Sequence, residues 1–429
     1  MNRVMKKYPN ILILNNQSIY NCNATGFTLR NILSGWPAEN LCELHMDRKA
    51  GENDKRNNIH SEYILDVVPV YYLIRKIHNL LNKTKKNHST VNDVQGAKNV
   101  TSQGNMREVI NRLIDVSPVC GTIHWEKYLK GFNPDVIYTC GASVSVMKIA
   151  LKLSRKYNIP IVLHFMDDWA HYLQNESIIG SKWYKGCLQK YLKKCYVKSV
   201  SNFAISPYMA EDYEKETGIS HIALMNAVDF EKFYNLSQNS GDSIIFTYTG
   251  GLHLERWKAL KDVETALTKL KQNGYNVKLK IYTGSQEMIP EDYFDNLITE
   301  VHEQVPHSEV NKILKEANVL VHVEVQNPIL MGFFKYSIST KIPEYMAANR
   351  PMLLYAPQNM KLLEYLCENE IAFTAYEKKQ LYDTIEEIIT DSGKTTRVRE
   401  KAVQFVQDNY EVKYVREVFY ETICKVTQM

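Results

Sequence analysis

Short apolar runs alternating with amphipathic stretches set the rhythm of this chain. ILIL (11–14) is followed by a turn and TLRNIL, DVIYTCG (135–141) by SVMKIALKLSRKY, IPIVLHF (159–165) by a long amphipathic segment, and FAIS (203–206) by PYMAEDYEKETG. Apolar runs this short, bounded by turn formers and each succeeded by a helix-periodic stretch, predict parallel strands covered by helices. The pattern restarts at IIFTYTGG (244–251), followed by a helix to Leu270, VKLKIYTG (277–284), the helix SEVNKILKEA, the strand VLVHVEV, a further helix and MLLYAP. The fold class expected is α/β, with two tandem Rossmann-like, doubly wound domains.

Length agrees, because 429 residues exceed what one core usually supports and suit two domains of about 200 residues. A polar stretch at 235–242 separates an extended segment from a new strand, which places the domains at 1–238 and 239–405. Residues 76–105, rich in Lys, Asn, Ser, Thr and Gln, read as an insertion in the first domain. Val403, Phe405, Val406, Tyr410, Val415, Phe419 and Ile423 make a helical finish. Residues 406–429 are therefore expected to form a C-terminal helix, with a return to the first domain as one arrangement.

Hydrophobic residues at 45% and charged residues at 23% are proportions of a globular protein and exclude a disordered or fibrous one. The net charge of +4 conceals an asymmetry. Residues 1–230 carry 29 Lys and Arg against 20 Asp and Glu, a net of +9, whereas 231–429 carry 23 against 28, a net of −5. Such a split points the first half toward an anionic partner, a membrane surface or a lipid-linked phosphate, ahead of nucleic acid, for which no reader motif is present. The segment 182–198 sharpens this: Tyr184, Leu188, Tyr191, Leu192, Cys195 and Tyr196 recur at helical spacing, with Lys182, Lys190, Lys193 and Lys194 on the opposite arc. It reads either as a core-packed helix with a solvated basic face or as an interfacial helix on anionic lipid.

Eight cysteines are scattered without the two-residue spacing of zinc or redox motifs, so reduced thiols and no metal are expected. The apolar run at 11–14 is too short for a signal-peptide core, and no run reaches the length of a membrane span. The expected location is cytoplasmic, extending to the inner face of the cell membrane.

Candidate chemistry concentrates in STKIPEYMAANRPMLLYAP (339–357). Ser339 and Thr340 are N-cap residue types, so backbone amides and the positive end of a helix would face a ligand there. Lys341 supplies a point charge, and Glu344, one turn on, can accept hydrogen bonds from paired hydroxyls. That combination suits a nucleotide diphosphate with its ribose; the alternative is an ordinary capped helix packed on a sheet.

Further segments build a resemblance. NATGFTLRNIL near the start, NPDVIYT, IPIVLHF and MDDW, AISPYMAEDYEKETG with LMNAVDFEKF, YTGGLHLERWKAL, VPHSEVNKILKEANVLVHVE and STKIPEYMA follow one another in the order seen in two-domain glycosyltransferases of the GT-B fold. They most resemble the retaining group called glycosyltransferase family 4. The resemblance implies two domains facing a cleft, an acceptor-binding first domain and a nucleotide-sugar-binding second domain. Gly26 would belong to a glycine loop at the acceptor side. Met166 stands where the family has a His before an Asp; Asp167 matches that Asp, and His164 is the candidate to stand in for the His. Asp167 or Asp168 would orient the acceptor.

In the second domain Gly250 and Gly251 match the glycine-rich strand end, although the family often has an Arg at the position of Gly251. Arg256 is the candidate phosphate clamp with Lys258 in reserve, because a guanidinium fork suits phosphate better than an ammonium. Val305 would lie near the nucleobase, and Ser339, Thr340, Lys341 and Glu344 would hold the diphosphate and ribose. The first of the family's paired glutamates falls at Tyr336 and is absent.

The activity implied is a hexosyltransferase-type transfer, retaining and independent of metal, from a nucleotide diphosphate sugar as co-substrate to a glycan or lipid-linked acceptor in surface polysaccharide or lipid-linked glycan assembly. Two other readings stay open: a nucleotide-sugar epimerase of the same fold, distinguished by product without acceptor, and a catalytically silent binding subunit.

Overall fold

The computed structural model describes residues 8–21, 23–47, 59–64, 68, 102–119, 125–173, 177–234, 242–253, 255–306, 309–324, 335–336 and 338–428. Two compact units result: one runs to Asn226 and takes in the chain again from Arg416, and the other comprises Ala227–Val415. The break thus falls a dozen residues before the expected 238. The C-terminal segment divides as well: Ser392–Asn409 and Val412–Gln428 are separate helices, and the residues from Arg416 onward belong with the first unit. Phe419 explains the return. Its ring packs on Trp36, Tyr138 and Phe203 of the first unit, and it is fully buried there. Of the expected insertion at 76–105, only the start of the helix Ser102–Val116 lies within the described residues.

The first unit is a seven-stranded sheet in the order β3-β2-β1-β4-β5-β6-β7, every pairing parallel. Its strands are β1 (Ile11–Asn15), β2 (Leu41–His45), β3 (His60–Tyr63), β4 (Val136–Thr139), β5 (Ile161–Phe165), β6 (Ser201–Ala204) and β7 (Ser220–Ala223). The central strands are buried along their whole length, as apolar runs covered by helices on both faces must be. The helix Ser181–Tyr196 buries Leu188, Leu192 and Cys195 and leaves Lys182, Lys190, Lys193 and Lys194 exposed, beside exposed Trp183 and Val197.

The second unit is a six-stranded parallel sheet in the order β10-β9-β8-β11-β12-β13. Its strands are β8 (Ile244–Thr249), β9 (Val277–Thr283), β10 (Thr299–Glu303), β11 (Val319–Val323), β12 (Met352–Tyr355) and β13 (Phe373–Ala375). Phe246, Leu260, Leu267, Leu279, Ile281 and Val321 are among its fully buried core. Among the described residues, no helix is long and apolar enough to cross a membrane.

Strand order decides where ligands can bind. In each sheet the order reverses beside the first strand, between β1 and β4 and between β8 and β11. The loops leaving the carboxyl ends of such neighbours run to opposite faces and open a crevice between them.

Candidate functional site

At the reversal point of the second unit, β8 ends in Thr249 and the chain turns through Gly250 and Gly251. Gly250 has φ +145°, which side chains rarely adopt, and a Cβ built on it would fall on the Lys341 Nζ. The ammonium therefore lies directly on this turn, 5.2 Å from the centroid of the Tyr248 ring, whose hydroxyl donates to the Gly251 carbonyl at 2.8 Å. Tyr345, on the helix Lys341–Ala347, anchors that helix to the strand end: Thr249 N donates to its hydroxyl at 3.1 Å.

Arg256 opens the helix Arg256–Gln272 and reaches across to Glu324, just past β11, with Nη2 2.7 Å from Oε2. The other carboxylate oxygen of Glu324 accepts from Nε2 of His322 at 2.8 Å, and Nη1 of Arg256 lies 3.2 Å from Nε2 of His253. Burial alone would push the Glu324 carboxyl up, but Arg256 and His322 hold it well below the usual carboxylate range. Burial and the neighbouring guanidinium push Lys341 down to about 8, against the pull of Glu324 and Glu344. Burial, with Arg256 beside it, pushes His253 down to about 4, so it is neutral at pH 7. Arg256 Nε and His322 Nδ1 are buried without a partner among the described residues. Two cations at a reversal point have the chemistry to meet a polyanion, one as a guanidinium fork and one as a point charge.

Of the expected donor residues, Gly250 and Lys341 are in contact, Arg256 lies near enough to depress the lysine, Gly251 continues the turn, and Glu344 sits half-buried one turn along the same helix. Lys258 does not join them. It pairs with Glu255 at 2.8 Å on the surface, and its ammonium lies over the Trp257 ring. Thr340 is the N-cap of the helix Lys341–Ala347, yet it sits in helical conformation and makes no side-chain capping bond; Ser339 receives the Lys341 amide at 3.4 Å instead. The helix has only seven residues, so its start contributes less than the capped helix expected. Val305 lies half-buried two residues beyond β10. Glu324, His322 and His253 were missed. A His and a Glu two apart at the end of an apolar strand share one face, and that spacing in VLVHVEV was the available signal.

The reversal point of the first unit holds a cavity of about 240 Å³ bordered by Asn15, Gly26, Cys140, Gly141, Asp167 and Trp169, among others. Met166 lines it too, where a His was expected. His164 does not reach it. That ring is fully buried in the sheet, where it donates from Nε2 to the Leu224 carbonyl at 3.0 Å and receives the Tyr138 hydroxyl at 2.6 Å, and burial pushes it down to about 4. Asp168 is likewise committed: His171 Nδ1 and the Tyr213 hydroxyl each donate to Oδ1 at 2.6 Å, and His171 Nε2 lies 2.9 Å from Glu216. It braces the loop after β5 and leaves Asp167 as the carboxylate of the cavity. Gly26 borders the cavity, but its lack of a side chain serves the fold, since a Cβ there would overlap the Asn21 carbonyl.

No family model matches the chain, and no curated protein matches it. Solved structures do. The Anabaena protein Alr3699/HepE, in complex with UDP and glucose, aligns with TM-score 0.62 at 13% identity over 97% of this chain and 100% of that one. Sucrose-phosphate synthase from Thermosynechococcus elongatus aligns with TM-score 0.61 at 10% identity, covering 98% and 99%. A glycosyltransferase from Rickettsia africae aligns with TM-score 0.60 at 12% identity, covering 98% of each chain. Two Rossmann-like domains, each a parallel sheet flanked by helices, make this chain a GT-B protein in fold, with glycosyltransferases as its structural neighbours.

Proposed function

We propose that the chain is a glycosyltransferase that takes a sugar from a nucleotide diphosphate donor held by the second unit and passes it to an acceptor hydroxyl held by the first. The observation that carries this reading is the Lys341 ammonium lying on the Gly250 turn, with the Arg256 guanidinium near enough to depress it. When the bond from the anomeric carbon to the diphosphate oxygen breaks, negative charge grows on the leaving group. The guanidinium fork and the ammonium stabilise that charge more in the transition state than in the ground state. Glu344 is assigned to the ribose hydroxyls.

A retaining course fits the same groups. The acceptor oxygen bonds to the anomeric carbon on the face the diphosphate leaves, and the acceptor proton passes to the departing phosphate oxygen, so a pair of catalytic carboxylates is not required. Surface polysaccharide or lipid-linked glycan assembly is the setting, with peripheral contact to anionic membrane through the exposed Lys182, Lys190, Lys193 and Lys194. HepE was solved with UDP and with UDP-glucose, which makes uridine nucleotides the first donors to try.

The test is thermal stabilisation of the purified chain by a panel of nucleoside diphosphates and nucleotide sugars, since a ligand that binds only the folded state raises Tm. A selective rise with one base that is lost in Glu344→Ala supports the donor site. No rise with any member, from a folded sample, removes it.

A further inference from the structure

A second opening lies on the first unit, away from the reversal point. It is a groove of about 670 Å³ bordered by the helices Val144–Tyr157 and Ser181–Tyr196 and by the chain leaving the helix Ser102–Val116. Lys198, on its border, accepts at its carbonyl from the amide of Ile161, the first residue of β5, at 2.9 Å. Arg155 lies in the last turn of the helix that leads into that strand. The groove therefore sits at the amino ends of the strands, opposite the carboxyl ends where the crevice opens. A ligand here is not placed for sugar transfer.

Lys148, Leu151, Lys152 and Arg155 fall at i, i+3, i+4 and i+7 and so share one helix face. Two of these cations build the groove. The Lys148 ammonium donates to the Val116 carbonyl and, at 2.8 Å, to the Ser117 carbonyl, and the Lys152 ammonium donates to the Val119 carbonyl at 3.0 Å. The Tyr191 ring receives both Lys148 and Lys194, each ammonium 5.1 Å from its centroid. Val116, Pro118, Val119, Leu151 and Val197 supply carbon surface, and Val197 is 82% exposed.

Charge and carbon together decide the class of ligand. Arg155, Lys194 and Lys198 are exposed and make no ion pair among the described residues, and no Asp or Glu borders the groove there. Burial pushes the Lys148 ammonium down, and Lys152 and Lys190 push the same way against Asp115. Asp115 is itself committed, since the hydroxyls of Ser143, Ser145 and Tyr184 donate to it. Cations along carbon walls select an anion with an apolar body. A small hydrophilic anion would leave the walls in water, and an acidic polypeptide would set its backbone amides against carbonyls that already accept from Lys148 and Lys152. A phospholipid brings no backbone: its phosphate meets the cations and its first methylenes cover the apolar side chains.

We propose that this groove seats one anionic phospholipid of a membrane, with the headgroup phosphate at Arg155, Lys194 and Lys198 and the acyl chains against Val119, Leu151 and Val197. The proposal rests on the membrane contact described above and gives it a defined seat, apart from Lys182 and Lys193, which lie outside the groove.

The experiment is a saturation-transfer NMR titration of the full chain with monomeric dihexanoylphosphatidylglycerol. Dihexanoylphosphatidylcholine, glycerophosphoglycerol and a short polyglutamate peptide serve as competitors, and sedimentation with phosphatidylglycerol vesicles runs in parallel. Saturable binding of the anionic lipid is expected, with little competition from the zwitterionic lipid, the headgroup alone or the peptide. Affinity should fall about tenfold or more in the exposed pair Arg155→Gln with Lys198→Gln, because each basic side chain at an anionic lipid surface contributes about fivefold. Leu151→Asp, checked for folding by circular dichroism, should lose binding as well. Lys182→Gln with Lys193→Gln should weaken vesicle binding and leave the monomeric lipid bound. Undiminished lipid binding in the Arg155 and Lys198 pair overturns the proposal. So does equal competition by phosphatidylcholine, by glycerophosphoglycerol, which would mark a site for free phosphate, or by polyglutamate, which would mark a protein surface. Vesicle binding without binding of the monomeric lipid overturns the groove alone; lipid binding without vesicle binding leaves the groove and removes the membrane contact.

Discussion

The ammonium of Lys341 stands where a side chain on Gly250 would begin. Two residues 91 positions apart in the chain thus share one volume, and neither position tolerates a change that fills it. Gly250→Ala is expected to cost about 1–3 kcal/mol in stability from its φ of +145° and to displace the ammonium. Denaturant unfolding and nucleotide titration check this together. A variant that binds UDP as tightly as the parent would refute the close packing.

Arg256 is tied to Glu324, so its removal has two effects. Arg256→Ala leaves Glu324 buried and uncompensated, a penalty of about 3–5 kcal/mol, and loss of activity there would be uninterpretable. The double variant Arg256→Met with Glu324→Gln removes both charges. It is expected to unfold at a denaturant concentration near that of the parent, yet to lose about a hundredfold or more in turnover, the scale of deleting one charge-stabilising group. Near-normal turnover would remove Arg256 from the chemistry.

Lys341 makes donor binding depend on pH. Its free-state value of about 8 lies below that of an ordinary lysine, and a bound diphosphate raises it again. Binding therefore takes up a proton above pH 8, and affinity for UDP should fall by about tenfold per pH unit between the free and bound values. Isothermal titration at pH 7, 8 and 9 measures it. Lys341→Gln should bind weakly with a flat profile; a flat profile in the parent would show that the ammonium does not meet the ligand.

His171 is shifted in the other direction, upward, and its shift bears on stability. Its hydrogen bond to Asp168 raises its value above that of an ordinary histidine, despite burial. The stabilising charge pairing is thus complete below about pH 6.5 and is lost as pH climbs through the raised value. Tm should decline over that interval, and the decline should be smaller in His171→Gln. An unchanged slope in the variant would sink the assignment.

The lysines of the helix Ser181–Tyr196 predict binding to anionic vesicles at low salt that weakens as salt is added. Sedimentation with phosphatidylglycerol vesicles tests it, and absence of binding at low ionic strength would dismiss the membrane contact.

The α/β architecture was legible because strand and helix periodicities are local. ILIL is apolar on both faces and IPIVLHF and IIFTYT nearly so, and a covered parallel sheet buries both. Gly250, Arg256 and Lys341 could be nominated because residue type alone carries turn freedom and positive charge. The misplaced candidates had plausible types in the wrong environments. His164 lies on a strand buried on both faces, Asp168 points to His171 and Tyr213, and Lys258 lies on the solvent side of its helix.

Sequence by itself thus determined the repeated strand and helix pattern, the two-unit organisation and the supply of glycines and cations. Tertiary structure decided what they do. Strand order brought Glu324 to Arg256 and Lys341 to Gly250, and it set Asn15, Asp167 and Trp169 around one cavity. The physical reason is range: hydrophobic periodicity acts over a few residues, whereas ion pairing, desolvation and hydrogen-bond satisfaction depend on which distant segments the sheet makes neighbours.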